Sequence, residues 1–190
     1  MPKTNNMIKV WDPLIRLFHW SLVLFFFVAY LVEIDRPLLH SYSGYAISLL
    51  LLFRLVWGCI GSQYARFSSF LTGPGVAWSY LKAIINGDAP RYIGHNPAGA
   101  LMIVALIIGL LITVLSGMSL VAMEGSGPLA NTFAAALPAR VVEPVHEFSS
   151  DVMVVMIVLH VAGALATSKI HRENLLLGMV TGSKKRDRDK

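Results

Sequence analysis

Charged residues and cysteine are both scarce in this sequence of 190 residues. Charged side chains make up 14% of it, compared with roughly 25% in soluble domains, whereas 55% of the residues are apolar. The single cysteine, Cys59, excludes an internal disulfide. A soluble globular domain is therefore a poor fit, and the composition predicts one membrane domain spanning residues 1–190.

A secretory signal and a nucleic-acid partner are also poorly supported. The apolar run that begins near Leu14 has no small-residue cleavage site before Glu33, so we interpret it as a retained first helix. The formal net charge of +5 would suit nucleic-acid binding. The basic residues cluster beside apolar runs, however, as membrane topology predicts, and we expect no nucleic-acid partner.

Four apolar segments each have about the 20 residues that a helix needs to cross a bilayer. Lipid offers backbone groups no hydrogen bonds, so each segment must be helical. The sequence therefore predicts an all-α integral membrane protein built as a four-transmembrane-helix bundle. The predicted helices are residues 14–32, 38–60, 98–121 and 145–167.

Lysine and arginine are distributed unequally between the two sides of this bundle, which predicts that both termini are cytoplasmic. The outer side has only Arg36 and Arg140, beside four acidic residues. The predicted cytoplasmic side carries Lys3, Lys9, Arg16, Arg66, Lys82, Arg91, Lys169, Arg172, Lys184, Lys185, Arg186, Arg188 and Lys190.

Two cytoplasmic segments complete the predicted organisation. Pro74 suits the first turn of a helix, and apolar residues follow it, so residues 74–87 are predicted to form a short helix at the membrane interface. A loop helix packed under the bundle is the alternative. Residues 168–190 form the predicted cytoplasmic tail, and fraying is expected from Ser183 onward.

The fourth span carries two histidines, His146 and His160, which are fourteen residues apart. On an α-helix this spacing is about 40° short of four turns, with a rise of about 21 Å. Both imidazoles should therefore face nearly the same direction, one near each end of the span. This arrangement suits two flat metal cofactors stacked across a membrane.

Two further histidines lie within the spans at matching depths. His19 pairs with His160 near the inner side, and His40 pairs with His146 near the outer side. Ionisable groups inside a membrane are costly and are functional hypotheses by default. Each pair can supply two axial nitrogens to one haem iron. The sequence lacks a C-x-x-C-H attachment motif, so any haem would be held without covalent bonds.

Two other interpretations of these histidines remain open. Each could be a polar residue hydrogen-bonded to a neighbouring helix. Zinc would need three or four ligands at one point, but only two histidines meet at each level. Asp151 lies about 140° from the His146 face of the helix.

Three residues near the histidines are candidate cofactor contacts. Gly44 and Gly163 lie close to His40 and His160 and would leave room for a planar macrocycle, or for close helix packing. Arg54, fourteen residues after His40, would face the inner level, where its guanidinium could pair with a haem propionate. Snorkelling of Arg54 to the cytoplasmic surface is the alternative.

The remaining histidines, His95 and His171, fall outside the apolar spans. We interpret them as interface or loop residues. A role in proton or quinone chemistry is the lesser alternative for each.

Seven short motifs occur in order along the chain, namely WDPLIRLFHW, LLHSYSGY, LFRLVWG, RYIGHNPAGA, VHEFSSD, LHVAG and HRENLLLGMVTG. Together they make residues 7–182 resemble the bacterial cytochrome b561 family, near the b-type cytochrome subunit of nickel–iron hydrogenases. The resemblance implies a four-helix cytochrome that binds two haem b, with ligands at His19, His40, His146 and His160. It also implies electron exchange between quinone and a redox partner in the bacterial inner membrane.

The sequence therefore leaves three functions open. The first is an electron carrier between the quinone pool and an outer redox protein, either a c-type cytochrome or a hydrogenase. The second is a quinone-reducing enzyme of the same fold that oxidises superoxide, which would require a positively charged funnel at the outer haem. The third is a non-redox membrane protein such as an assembly factor or carrier. A homo-oligomeric state is left open.

Overall fold

A computed structural model describes residues 7–33 and 35–186 of the chain. Four of the helices in this part are long and apolar enough to cross a membrane, namely α1, α2, α4 and α5. The elements in chain order are β1 (Met7–Lys9), α1 (Pro13–Leu31), α2 (Pro37–Ile60), α3 (Pro74–Asn86), α4 (Pro97–Met123), α5 (Ala139–His171), α6 (Leu175–Thr181) and β2 (Ser183–Lys185). Short 3-10 turns occupy Phe67–Ser69 and Phe133–Ala136.

Proline and side-chain caps determine where several helices begin. α1, α2, α3 and α4 each start with proline, which has no N–H to leave unpaired in the first turn. Asp12 accepts a hydrogen bond from the backbone N–H of Ile15 at 3.0 Å, and Asn96 accepts one from Gly99 at 2.8 Å. These caps pair backbone donors that the first helical turn leaves without partners.

The described chain divides into two compact units. The first combines the residues up to Leu17, Val56–Ile103 and the chain from Leu159 onward, and the second combines Phe18–Leu55 with Val104–Val158. In the second unit, parts of α1, α2, α4 and α5 pack around one apolar core. The core residues are Phe26, Ile47, Leu51, Leu110, Val114 and Met153.

The first unit contains a small antiparallel ribbon in which Ile8 of β1 pairs with Lys184 of β2. Arg91 and Lys184 both form ion pairs with Glu173, and the Lys184 ammonium also donates to the Tyr92 carbonyl at 3.2 Å. Burial opposes ionisation of Glu173, but its contacts with Arg91 and Lys184 outweigh this and lower its pKa. This cluster holds β2 against the segment that contains Arg91.

Asp12 connects the start of α1 to the end of α2 within the same unit. Its carboxylate accepts hydrogen bonds from the Ser62 hydroxyl at 2.6 Å and from the Trp57 indole N–H at 3.2 Å. Burial works against the charged form of Asp12, but these bonds outweigh it and lower the pKa of the carboxyl group.

Three features differ from the sequence-based expectations. Ser183–Lys185 forms strand β2, so fraying from Ser183 onward was wrong for these residues, and residues 187–190 lie outside the described part. Within residues 7–33 and 35–186, the regular structure is therefore helical apart from one two-stranded ribbon. α5 runs from Ala139 to His171, longer at both ends than the predicted span, so His171 ends the helix rather than following it.

Candidate functional site

The structure brings His40 and His146 together inside the second unit. Their ring centroids are 6.0 Å apart, and the ring planes are nearly perpendicular at 84°. Two metal–imidazole bonds of about 2 Å, plus about 1 Å from each nitrogen to its ring centre, also sum to about 6 Å. The separation therefore leaves space for one metal ion between the two rings.

Each ring is oriented by a backbone carbonyl of a different helix. His40 Nδ1 lies 3.0 Å from the Ala29 carbonyl oxygen in α1, and His146 Nδ1 lies 2.9 Å from the Thr113 carbonyl oxygen in α4. A carbonyl oxygen can only accept a hydrogen bond, so Nδ1 carries the proton in both rings. In a neutral imidazole this leaves Nε2 with an unshared electron pair, as a metal ligand requires.

His146 is also constrained by a short polar stretch of α4. The Ser116 hydroxyl oxygen lies 3.2 Å from His146 Nδ1. A Cβ atom added to Gly117 would approach His146 Cε1 at 2.7 Å, which is closer than real Cβ contacts. Only glycine at this position lets the imidazole lie directly against α4.

A cleft in the second unit is lined by both histidines and by mostly apolar side chains. Gly44 contributes to the lining, and a Cβ added there would meet nothing within 4 Å. The lining also includes a carboxylate, that of Glu33. The residues around the cleft come from α1, α2, the segment between them, α4 and α5.

These features fit a b-type haem, whose iron takes two axial imidazoles and whose macrocycle needs apolar walls. The two Nε2 atoms would supply the ligands, and the open space beside Gly44 would provide room for the flat ring. Within residues 7–33 and 35–186, no group of three or more histidine, cysteine or acidic side chains comes together as a zinc site would require.

The other predicted site residues lie elsewhere. His19 belongs to α1 in the second unit, where its ring stands edge-on to Trp20 at 5.1 Å. Arg54 of α2 is buried, with 3% of its surface exposed, so its guanidinium does not snorkel to the surface. His160 and Gly163 belong to α5 in the first unit, and Gly163 is exposed.

His95 and His171 both pack against aromatic side chains of the first unit. The His95 ring lies between Trp11 and Phe70, with centroid distances of 4.5 and 4.6 Å. His171 is buried, and its Nε2 lies 3.5 Å from the Tyr80 hydroxyl oxygen. Burial raises the pKa of that hydroxyl. His95 thus lies in the loop between α3 and α4, as predicted, with its ring packed, whereas His171 is buried at the end of α5.

Sequence reasoning missed the residues that orient His146. Gly117 and the Thr113 carbonyl come from α4, about 30 residues before the histidine, and nothing local relates them to it. One signal in the sequence could have indicated them. Polar side chains inside a membrane need hydrogen-bond partners, and the uncharged third span contains Thr113, Ser116 and Ser119 close together. Backbone carbonyls, such as that of Ala29, leave no trace in a sequence.

Comparisons with known proteins agree on one family. The sequence profile described as prokaryotic cytochrome b561 matches residues 10–182. A protein of Azotobacter vinelandii named "Probable Ni/Fe-hydrogenase B-type cytochrome subunit" is 24% identical, with 95% of this chain and 89% of that protein covered. The protein of the same name from Azotobacter chroococcum mcd 1 is 25% identical over the same shares. No solved structure matches.

Proposed function

The chain belongs to the prokaryotic cytochrome b561 family, and from that premise we propose that it is a dihaem b-type cytochrome of the bacterial inner membrane. It carries electrons between the quinone pool and a redox protein on the outer side. Membership of the family implies b-type haem and membrane electron transfer. The number of haems, the quinone, the partner protein and the bacterial inner membrane are proposed.

The observation that carries the proposal is the placement of His40 and His146 across one cleft. Both rings are held in the tautomer that exposes Nε2. Pre-oriented ligands lose little freedom on binding a metal, and hydrogen bonds to the distal nitrogen raise ligand basicity. We assign this pair to the outer haem. When bound, b haem supplies an iron that accepts and releases one electron.

The second haem is proposed from the sequence. His19 and His160 are the remaining histidines within the predicted spans, and the sequence predicts similar depths for them near the cytoplasmic side. Arg54 is proposed to pair with a propionate of this inner haem. Its burial supports that role, because it keeps the guanidinium within the protein rather than at the surface.

The partner is inferred from the relatives. Two proteins that match nearly the whole chain carry names of hydrogenase b-type cytochrome subunits. A nickel–iron hydrogenase is therefore the first candidate for the outer redox protein, and a c-type cytochrome is the second. Quinone is the proposed membrane-soluble reactant, and both chain termini are proposed to face the cytoplasm.

Proteoliposomes test the electron-transfer function directly. With a quinol in the bilayer and ferricyanide outside, wild-type protein should accelerate ferricyanide reduction well above empty vesicles. His146→Ala should abolish the acceleration, whereas Phe148→Ala, at an exposed position on the same helix, should retain it. Wild-type vesicles no faster than empty ones would contradict the function.

The superoxide-oxidising alternative is distinguished by the same preparation. An anionic substrate requires positive charge at the outer site, but the cleft lining includes the carboxylate of Glu33. In a stopped-flow experiment, we therefore expect superoxide to reduce the haem more slowly than superoxide is lost by self-dismutation. Rapid haem reduction by superoxide would instead favour the enzyme.

A further inference from the structure

Two buried serines of α4 share one kind of backbone hydrogen bond, but only Ser116 is in contact with His146. Ser116 and Ser119 are both buried, and each hydroxyl donates to the carbonyl four residues earlier, Ile112 at 2.7 Å and Leu115 at 2.8 Å. Ser116 differs because its oxygen also lies 3.2 Å from His146 Nδ1.

The direction of this contact follows from the neighbouring bonds. The Ser116 hydroxyl proton is directed at backbone carbonyls, those of Ile112 and Thr113. The Nδ1 proton of His146 points to α4 because the Thr113 carbonyl accepts it. Ser116 Oγ is therefore a second acceptor for the same proton, and the Nδ1–H bond is shared between two oxygens.

His40 supplies an internal comparison. Its Nδ1 has one acceptor among the described contacts, the Ala29 carbonyl at 3.0 Å. The two proposed axial ligands are thus held by unequal sets of acceptors. An acceptor on the distal nitrogen pushes electron density toward the ligating nitrogen, which makes that imidazole the stronger donor.

We propose that Ser116 is a positioning residue that sets the reduction potential of the outer haem through His146. This inference depends on the proposed function, because it requires that His146 ligate that haem. A stronger imidazole donor stabilises ferric iron more than ferrous iron, so the shared bond lowers the potential. Ser119 does not touch His146 and should have no such effect.

The experiment compares three variants of the full-length protein by spectroelectrochemical titration. Ser116→Ala removes the second acceptor, Ser116→Thr keeps the hydroxyl, and Ser119→Ala is the matched control. Ser116→Ala should raise the equilibrium constant for reduction of the outer haem about threefold, or about 28 mV at 59 mV per tenfold change for one electron. The other two variants should retain the wild-type potential and ferric EPR spectrum.

The outcomes separate this inference from the function on which it depends. A wild-type protein without haem overturns the proposed function. A haem-loaded Ser116→Ala protein with the same potential as Ser119→Ala overturns the role of Ser116 and leaves the function standing. Loss of the outer haem from Ser116→Ala alone supports the role, whereas loss from all three variants overturns it.

Discussion

At the scale of single residues, the site depends on atoms that hold imidazoles rather than on the imidazoles alone. Backbone carbonyls of Ala29 and Thr113 set the tautomers of His40 and His146. Gly117 gives His146 room to lie against α4. Because the rings are held by other helices, packing and ligand chemistry are coupled in the second unit.

Gly117→Ala should displace His146 and release the outer haem. The new methyl group would overlap the imidazole, and loss of support around a metal ligand typically lowers affinity about 10- to 100-fold. We expect the haem-to-protein ratio of the purified variant, measured as the pyridine haemochrome, to fall from about two to about one.

Gly109→Ala is the control for that variant. A Cβ at Gly109 of α4 would meet the Met153 sulfur at 2.5 Å, which is a comparably tight contact with a flexible side chain. This variant should keep both haems. Equal haem loss from the two variants would show that any added methyl on α4 disturbs the bundle.

Arg54→Leu tests the proposed propionate pairing. Ferric haem carries one more positive charge than ferrous haem, so removing a nearby positive charge stabilises the ferric form relative to the ferrous form. The inner-haem potential should therefore fall by a measurable amount. Redox titration of the variant measures this. An inner-haem potential equal to that of the wild type would count against the pairing.

At the scale of elements, helix α3 has three distinct faces. Ala77 and Tyr80 are buried, whereas Trp78, Leu81 and Ile85 are exposed on a separate sector about 100° away. Lys82 lies beside that apolar sector, with Nζ 5.6 Å from the Trp78 ring centroid. α3 therefore has one face packed against protein, one exposed apolar face and one polar face. This pattern is typical of a helix that lies in a membrane interface.

Spin labels should report this placement of α3. In a Cys59→Ser background, a label at Ile85→Cys should be more accessible to oxygen, which partitions into lipid, than to a water-soluble nickel reagent. A label at Ser79→Cys, on the polar sector, should show the reverse preference. Equal preference for the water-soluble reagent at both positions would favour a helix that is not in contact with lipid.

The ion pairs of Glu173 next to the β1–β2 ribbon should make the stability of the first unit depend on pH. Contacts with Arg91 and Lys184 lower the pKa of Glu173 in the folded chain. Its contribution to stability is therefore fully present above the unfolded pKa of roughly 4.3. The contribution is lost as pH falls through the lower folded pKa.

Glu173→Gln should lower the melting temperature in detergent by about 2–8 °C at pH 7, which corresponds to a loss on the order of 1–2 kcal/mol. The gap between variant and wild type should close as the pH falls below 4. Glu124→Gln, the same change at an exposed position, should have little effect at either pH. A gap that persists unchanged in acid would contradict the ion-pair explanation.

At the scale of the whole molecule, hydropathy predicted the four spans because each is long, apolar and nearly uncharged, and these properties are local. Helix α5 exceeded its predicted bounds because its polar ends continue the helix outside the apolar run. Strand β2 was missed because its partner, β1, lies at the other end of the chain. The sequence predicted that His40 and His146 form a pair. It could not predict the contacts of His146 with α4, because these depend on how the helices pack against each other.

The distribution of basic residues predicts that both termini are cytoplasmic, and reporter fusions test this orientation. A green fluorescent protein fused after Lys190 should fluoresce, because it folds only in the cytoplasm. Alkaline phosphatase inserted in the loop between α4 and α5 should be active, because it requires the outer compartment. The reverse result for both reporters would invert the orientation.

The most direct test of the central claim is the haem content of purified protein, from a reduced-minus-oxidised spectrum and a protein assay on the same sample. We predict a b-type spectrum with about two haems per chain, and about one in His40→Ala and in His146→Ala. A colourless wild-type protein, or unchanged haem content in both histidine variants, would contradict the account.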